Sequence, residues 1–169
     1  TGPLIVNGNI RASVGTAASP SYTFRTDQDT GMWMPASNAL AFSTFGSERI
    51  RVISDGNVGI RATSPISVLD IRRTDTTAYD SAAAQLSNGA GLTLTNEDDT
   101  NESFAQISFR AGSNGPGNVR IAAIRKESNT ADLAFENDNS GIFVETMRLT
   151  STGNVGIGTI VPLTKFDVE

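Results

Sequence analysis

The phrase DGNVGIRATSP at residues 55–65 returns, ungapped, as TGNVGIGTIVP at residues 152–162 of a 169-residue chain. Repeated sequence implies repeated structure, so this one feature constrains the fold more than any other. The match runs on at both ends: Arg51 to Ile60 aligns with Arg148 to Ile157 without a gap. Beyond the phrase, Leu69-Asp70-Ile71 aligns with Phe166-Asp167-Val168. Upstream, Leu40-Ala41-Phe42 corresponds to Leu133-Ala134-Phe135, with a few extra residues before Glu48 and Glu145. A fainter echo opens the chain at residues 4–10. Two modules, 1–72 and 73–169, are therefore expected. The repeated phrase holds no His, Cys or Lys and no acid pair, so it reads as a structural joint and not a reaction centre.

Both modules read as β. Ala105, Ile107 and Phe109 alternate with Gln106, Ser108 and Arg110, the period of a half-buried strand. Val119, Ile121 and Ala123 share one face of the next run, and Ala131, Leu133 and Phe135 one face of another. Met147 and Leu149 do the same before the second glycine phrase. Turn chemistry fills 87–91, 112–118 and 136–141. Only 77–86, with Ala82-Ala83-Ala84, suggests a short helix.

Within the repeat, Gly56 and Gly153 are suited to positive φ, and Asn57 and Asn154 tolerate it better than most residues. Gly59 and Gly156 fall inside short strands, where glycine weakens pairing unless another backbone comes close. The expectation is that several copies of the chain meet there. Gly158 completes the second phrase, where the first has Arg61. Pro65 and Pro162 set an extended entry to closing strands at Val68–Arg72 and Lys165–Val168. Short strands with weakly apolar faces are marginal alone, and shared burial among copies would also remove exposed edges. The pattern implies oligomerisation.

Composition narrows the function classes. A net charge of −5 and a pI near 4.7 oppose binding to nucleic acid or an anionic membrane, both of which need a positive patch. With no Cys and no His, a disulfide framework, a zinc site of the usual ligands and any His-dependent nucleophile are excluded within the chain. No apolar run approaches the ~18 residues of a membrane helix, and no signal peptide is visible. Thr1 at the start suggests a fragment or a processed piece.

TGNVGIGT, followed by a proline and by Phe166-Asp167-Val168, resembles the shaft and tip modules of trimeric fibres. Such fibres occur on bacteriophage tails and on the surfaces and in the vesicles of predatory bacteria. SPSYTFRTDQDTGMWMP at 19–35, then Leu40-Ala41-Phe42, is similar to another recurrent module of those fibres. The resemblance covers most of the chain and implies an all-β, intertwined homotrimer. It also implies an extracellular or surface location, on a virion or a bacterium, and a role in adhesion or host recognition. In such fibres the repeated turn is commonly followed by a chaperone domain that trimerises the chain and cuts itself off; this chain stops at Glu169, where that domain has not begun.

Candidate sites are few. Asp29-Thr30-Gly31 matches the aspartic-protease triplet but follows the polar Thr26-Asp27-Gln28 and occurs once, so a structural turn is favoured over catalysis. Asp27 and Asp29 are spaced like the first ligands of a calcium loop, but the later ligands and the sixth-position glycine are missing. The glycines 153, 156 and 158 lack the order, helix and Lys of a phosphate loop. The acidic stretches 96–102 and 136–138 read as solvated loops, and Arg72-Arg73 and Arg125-Lys126 as solvated strand ends or ion pairs. Trp33, with Tyr22, Met32 and Met34, is the one aromatic cluster. It serves either as a core plug or as a platform on which a sugar ring stacks, with Asp27, Asp29 and Asn38 taking hydroxyls. No catalytic residue, metal or cofactor is expected. The leading expectation is a non-enzymatic fibre segment; the alternative is a lectin-like module with the Trp33 region in contact with surface glycan.

Overall fold

The structure, a computed structural model, describes residues 8–76, 78, 91–112 and 117–169. The chain forms two compact units that divide between Leu92 and Thr93, and each is built on one six-stranded sheet. Among the described residues there is no helix; the helix suggested for 77–86 and most of the 4–10 echo lie outside that set.

The first sheet runs in sequence order through β1 (Tyr22–Phe24), β2 (Asp27–Trp33), β3 (Leu40–Thr44), β4 (Ser47–Val52), β5 (Val58–Ile60) and β6 (Leu69–Ile71). The second does the same through β7 (Phe104–Ala111), β8 (Gly117–Glu127), β9 (Thr130–Asn139), β10 (Ile142–Leu149), β11 (Val155–Ile157) and β12 (Phe166–Val168). All neighbours are antiparallel except the last pair of each sheet. A parallel pair usually needs a connection of about a dozen residues or more, yet residues 61–68 and 158–165 suffice here.

The repeat is reproduced bond for bond. Arg51 lies opposite Gly59 as Arg148 lies opposite Gly156, and Gly59 opposite Asp70 as Gly156 opposite Asp167. The turn closes through Gly56 N–H to Ile53 O at 2.9 Å in one copy and Gly153 N–H to Thr150 O at 2.8 Å in the other. Gly56 and Gly153 have φ of 83° and 81°, the left-handed region glycine enters freely. The adjoining Asn57 and Asn154 stay at negative φ; their carbonyls accept the N–H groups of Ile53 and Thr150. Each connector is then clipped by an aspartate. Asp70 accepts the Ile66 N–H at 3.1 Å and Asp167 the Leu163 N–H at 2.8 Å.

Crowding at the strand glycines has an intramolecular cause, so no second copy is needed to account for them. A Cβ on Gly59 would stand 2.0 Å from the Ala62 carbonyl oxygen, and one on Gly156 2.5 Å from that of Thr159. The short connector folds back over its own strand, burying Ala62 and Pro65 in one copy and Pro162 in the other. A β-carbon would hold it off.

Two stretches read as turns lie in strands instead. Asp27, Asp29, Thr30 and Gly31 belong to β2. Residues 136–139 belong to β9, and the turn falls at Ser140-Gly141, with φ of 56° and 89°. Glu136 is 7% exposed and pairs with Arg120 across the sheet, so it is no solvated loop residue. The loop of 96–102 is exposed as expected.

Cross-strand partners share a face, which sorts each sheet into two sides. One side of the first sheet carries Met32, Phe42, Ile50, Ile60 and Ile71. The matching side of the second carries Ile107, Ile121, Phe135, Met147, Ile157 and Val168. The opposite sides hold Ala41 and Ser43, or Ala122, Ala134, Arg120 and Arg148, and are partly covered by the connectors. The buried hydrophobic residues among those described are Ala41, Ala62, Ala122, Ile124 and Ala134. The large apolar side is the one left open.

Candidate functional site

The five residues singled out as a possible ligand site are spread over both sides of the first sheet. Asp27, Asp29 and Trp33 all belong to β2, but the pairing with β1 jumps from Thr23–Gly31 to Phe24–Asp27, so strand alternation does not carry the Trp33 face down to the aspartates. At about 3.3 Å per residue, Asp29 lies roughly 13 Å from Trp33 along the strand. Tyr22 sits opposite Met32, on the other face. Asn38 lies in the loop after β2 with φ of 59°, a left-handed position that asparagine tolerates. Gly31 is required between them: its Cβ would stand 1.9 Å from the Tyr22 carbonyl oxygen.

Trp33 is half-buried, and its indole N–H donates to the Ser43 hydroxyl at 2.7 Å. That bond satisfies the one polar atom of the ring and accounts for a buried serine at 2% exposure. A hollow of about 170 Å³ at the Trp33 end of β2 is lined by Val14, Tyr22, Met32, Trp33, Met34 and Leu40. It is apolar, and the carboxylates lie outside it.

Asp27, exposed, and Asp29, half-buried, form a hydrogen-bonded carboxyl pair. Hydrogen bonds from Thr30 and then Asp29 hold Asp27 below the ordinary carboxylate value of 3.8. The hydrogen bond to Asp27, aided by partial desolvation and by the charge of Asp27, pushes Asp29 above it. One proton shared between two carboxyls is the electrostatic signature of acid catalysis. Here the pair lies near the start of β2, with Asp27 exposed and Asp29 half-buried.

Arg120, Asp132, Glu136 and Arg148 of the second sheet lie on the side opposite its apolar face. Arg148, 6% exposed, donates to both oxygens of Glu145 at 2.6 Å and to Asp132 at 3.1 Å. Asp132 also accepts the Ser151 N–H at 2.8 Å. These partners, Glu145 foremost, push the Arg148 pKa still further up. Arg120 lies over Phe143 at 4.3 Å from the ring centroid, pairs with Glu136 and donates to Gln106. Among the described residues no buried side-chain nitrogen or oxygen lacks a partner, so these clusters brace the sheet. Sequence reading missed them because contacting members lie up to 23 residues apart and meet only when the strands pair. The basic pairs are tied likewise: Arg72 to Asp70 at 2.7 Å, Arg73 to Asp75 at 3.4 Å, and Lys126 to Glu102.

The extended surface that remains is the apolar side of each sheet. Phe42 is 41% exposed, Leu69 52%, Phe109 54% and Phe166 64%. Fully burying a side chain of this size contributes about 1.5–3 kcal/mol, whereas an alanine methyl contributes under about 1 kcal/mol. Part of the hydrophobic stabilisation these side chains could supply is therefore unrealised in the single chain. The chain matches no protein-family model and no curated protein.

Proposed function

We propose that this chain is a segment of a homotrimeric surface fibre, non-enzymatic, that extends and presents an adhesive end. The observation that carries this reading is the inverted burial of both sheets. Alanines and paired charges are inside, while phenylalanines, leucines and isoleucines form two open faces at matching positions of a repeat. Contiguous apolar patches of this kind mark association surfaces. A repeated module whose apolar side recurs in register suits a rod in which identical copies cover one another along its length. Threefold display would then raise weak single-site adhesion through avidity.

Light scattering on the purified chain tests it. The expected result is a stable species of three times the 17.8 kDa chain mass at micromolar concentration; a monodisperse monomer would overturn the reading. Glycan recognition at Trp33 has weaker support. The indole N–H already bonds Ser43, and neither Asp27 nor Asp29 lines the hollow beside the ring.

A further inference from the structure

We infer that residues 91–95 of one copy add as a seventh strand to the outer edge of β7 in a neighbouring copy. This inference rests on the homo-oligomeric reading above and specifies how its subunits interlock.

Gly91-Leu92-Thr93-Leu94-Thr95 alternates apolar and β-branched polar residues with strand period. All five are exposed, and Leu92 and Leu94 stand 64% and 47% open. Among the described residues, none of their backbone groups has a hydrogen-bond partner. β7 is the outermost strand of its sheet and pairs only with β8. Half of the backbone groups of an edge strand point outward, a template for another strand. From Ala105 to Ala111 that outer edge has no backbone partner among the described residues.

The two unpaired pieces are complementary. Leu92 and Leu94 would continue the apolar face of Ala105, Ile107 and Phe109, and Thr93 and Thr95 the polar face of Gln106, Ser108 and Arg110. They do not pair within one chain although only residues 96–103 separate them. That loop is folded by its own turns, Asp98 N–H to Asn96 Oδ1 and Thr100 N–H to Asp98 Oδ1. It is also pinned to β8 through Glu102 N–H to Arg125 O and Arg125 N–H to Ser103 O, both 2.8 Å. Anchored there, the chain does not double back along β7. The partner that fits is the same segment of a second copy. A segment-to-edge contact is heterologous, and three such contacts close into a ring.

The chain has no cysteine, so introduced pairs report cleanly. Thr93→Cys is combined in turn with Gln106→Cys, Ser108→Cys and Arg110→Cys, and the proteins are oxidised and run without reductant. At one register the expected bands are covalent dimers and trimers; a single cysteine gives dimers at most. In the unmodified oligomer, amide exchange at 92–95 is expected to be slowed at least about tenfold relative to an unstructured peptide. An oligomer by light scattering with free exchange at 92–95 and no cross-linked register overturns the strand exchange and leaves the homotrimer reading intact. Disulfides confined to single chains overturn it too. A monomer overturns both.

Discussion

A methyl group at Gly59 would collide with backbone, and backbone cannot swing aside as a side-chain tip can. Gly59→Ala is therefore expected to destabilise the first sheet by about 2 kcal/mol or more, read as a lower urea midpoint. Gly156→Ala, with its contact at 2.5 Å instead of 2.0 Å, should cost less. Arg61 presents the opposite case. It holds φ of 56° where the second copy has Gly158 at 79°, and a non-glycine residue there costs about 1–2 kcal/mol. Arg61→Gly should raise the midpoint. The carboxyl pair of β2 gives a pH prediction. Asp29 has its folded pKa raised, so its contribution is present at low pH and lost as pH rises through that value. Asp27 is depressed, so its contribution is present above the ordinary value and lost as pH falls. Asp27 is exposed and Asp29 only half-buried, so solvent screening keeps both contributions small and the titration itself is the readout. Carboxyl carbon NMR should find one midpoint on each side of 3.8, and Asp27→Asn should bring the Asp29 midpoint down.

At the scale of elements, each sheet is locked where its fourth strand meets the glycine strand, and the two locks differ in depth. Arg51 pairs with Glu48 at 2.6 Å and donates to the Thr63 carbonyl of its connector at 3.2 Å. Arg148 binds Glu145 and also Asp132, a residue whose counterpart in the first copy is Ala39. Removing Arg148 strands two carboxylates in a buried place. Arg148→Ala is expected to cost about 3–5 kcal/mol in chemical denaturation, and Arg51→Ala distinctly less. Equal costs would mean that Asp132 finds water when its partner is gone. The strand periods and glycine turns were legible because they are local. Glu136 to Asp138 were misread as loop because three polar residues before Asn-Ser-Gly look like turn chemistry. Only Arg120 and Asn118 on the facing strand explain why they stay extended.

For the whole molecule, the proposed trimer would make stability a matter of concentration. If copies cover one another, the unfolding temperature should rise with protein concentration, and a calorimetric series over two decades would show it. Phe166→Glu places a charge on the open face at a site 64% exposed in the single chain. A lone chain would tolerate it, but the proposed trimer should dissociate, with scattering mass falling to one chain. Ser128→Glu, exposed in the turn between β8 and β9, should leave that mass unchanged. If both variants keep the parent mass, the apolar face is not the interface.

The sequence by itself determined the all-β character, the duplication and the positions of the joints. Alternation, glycine at positive φ and a repeated phrase are properties of neighbours along the chain. It also implied that one copy has too little to bury, since the strands alternate large apolar residues with alanines and charges. Tertiary structure alone decided which side of each sheet faces outward and why Gly59 and Gly156 lack a side chain. It decided, too, that Trp33 and Tyr22 point to opposite faces, and that Arg148 gathers two acids from distant strands. Those outcomes depend on register and on a connector folding over its own strand, and a shift of one residue would reverse every face.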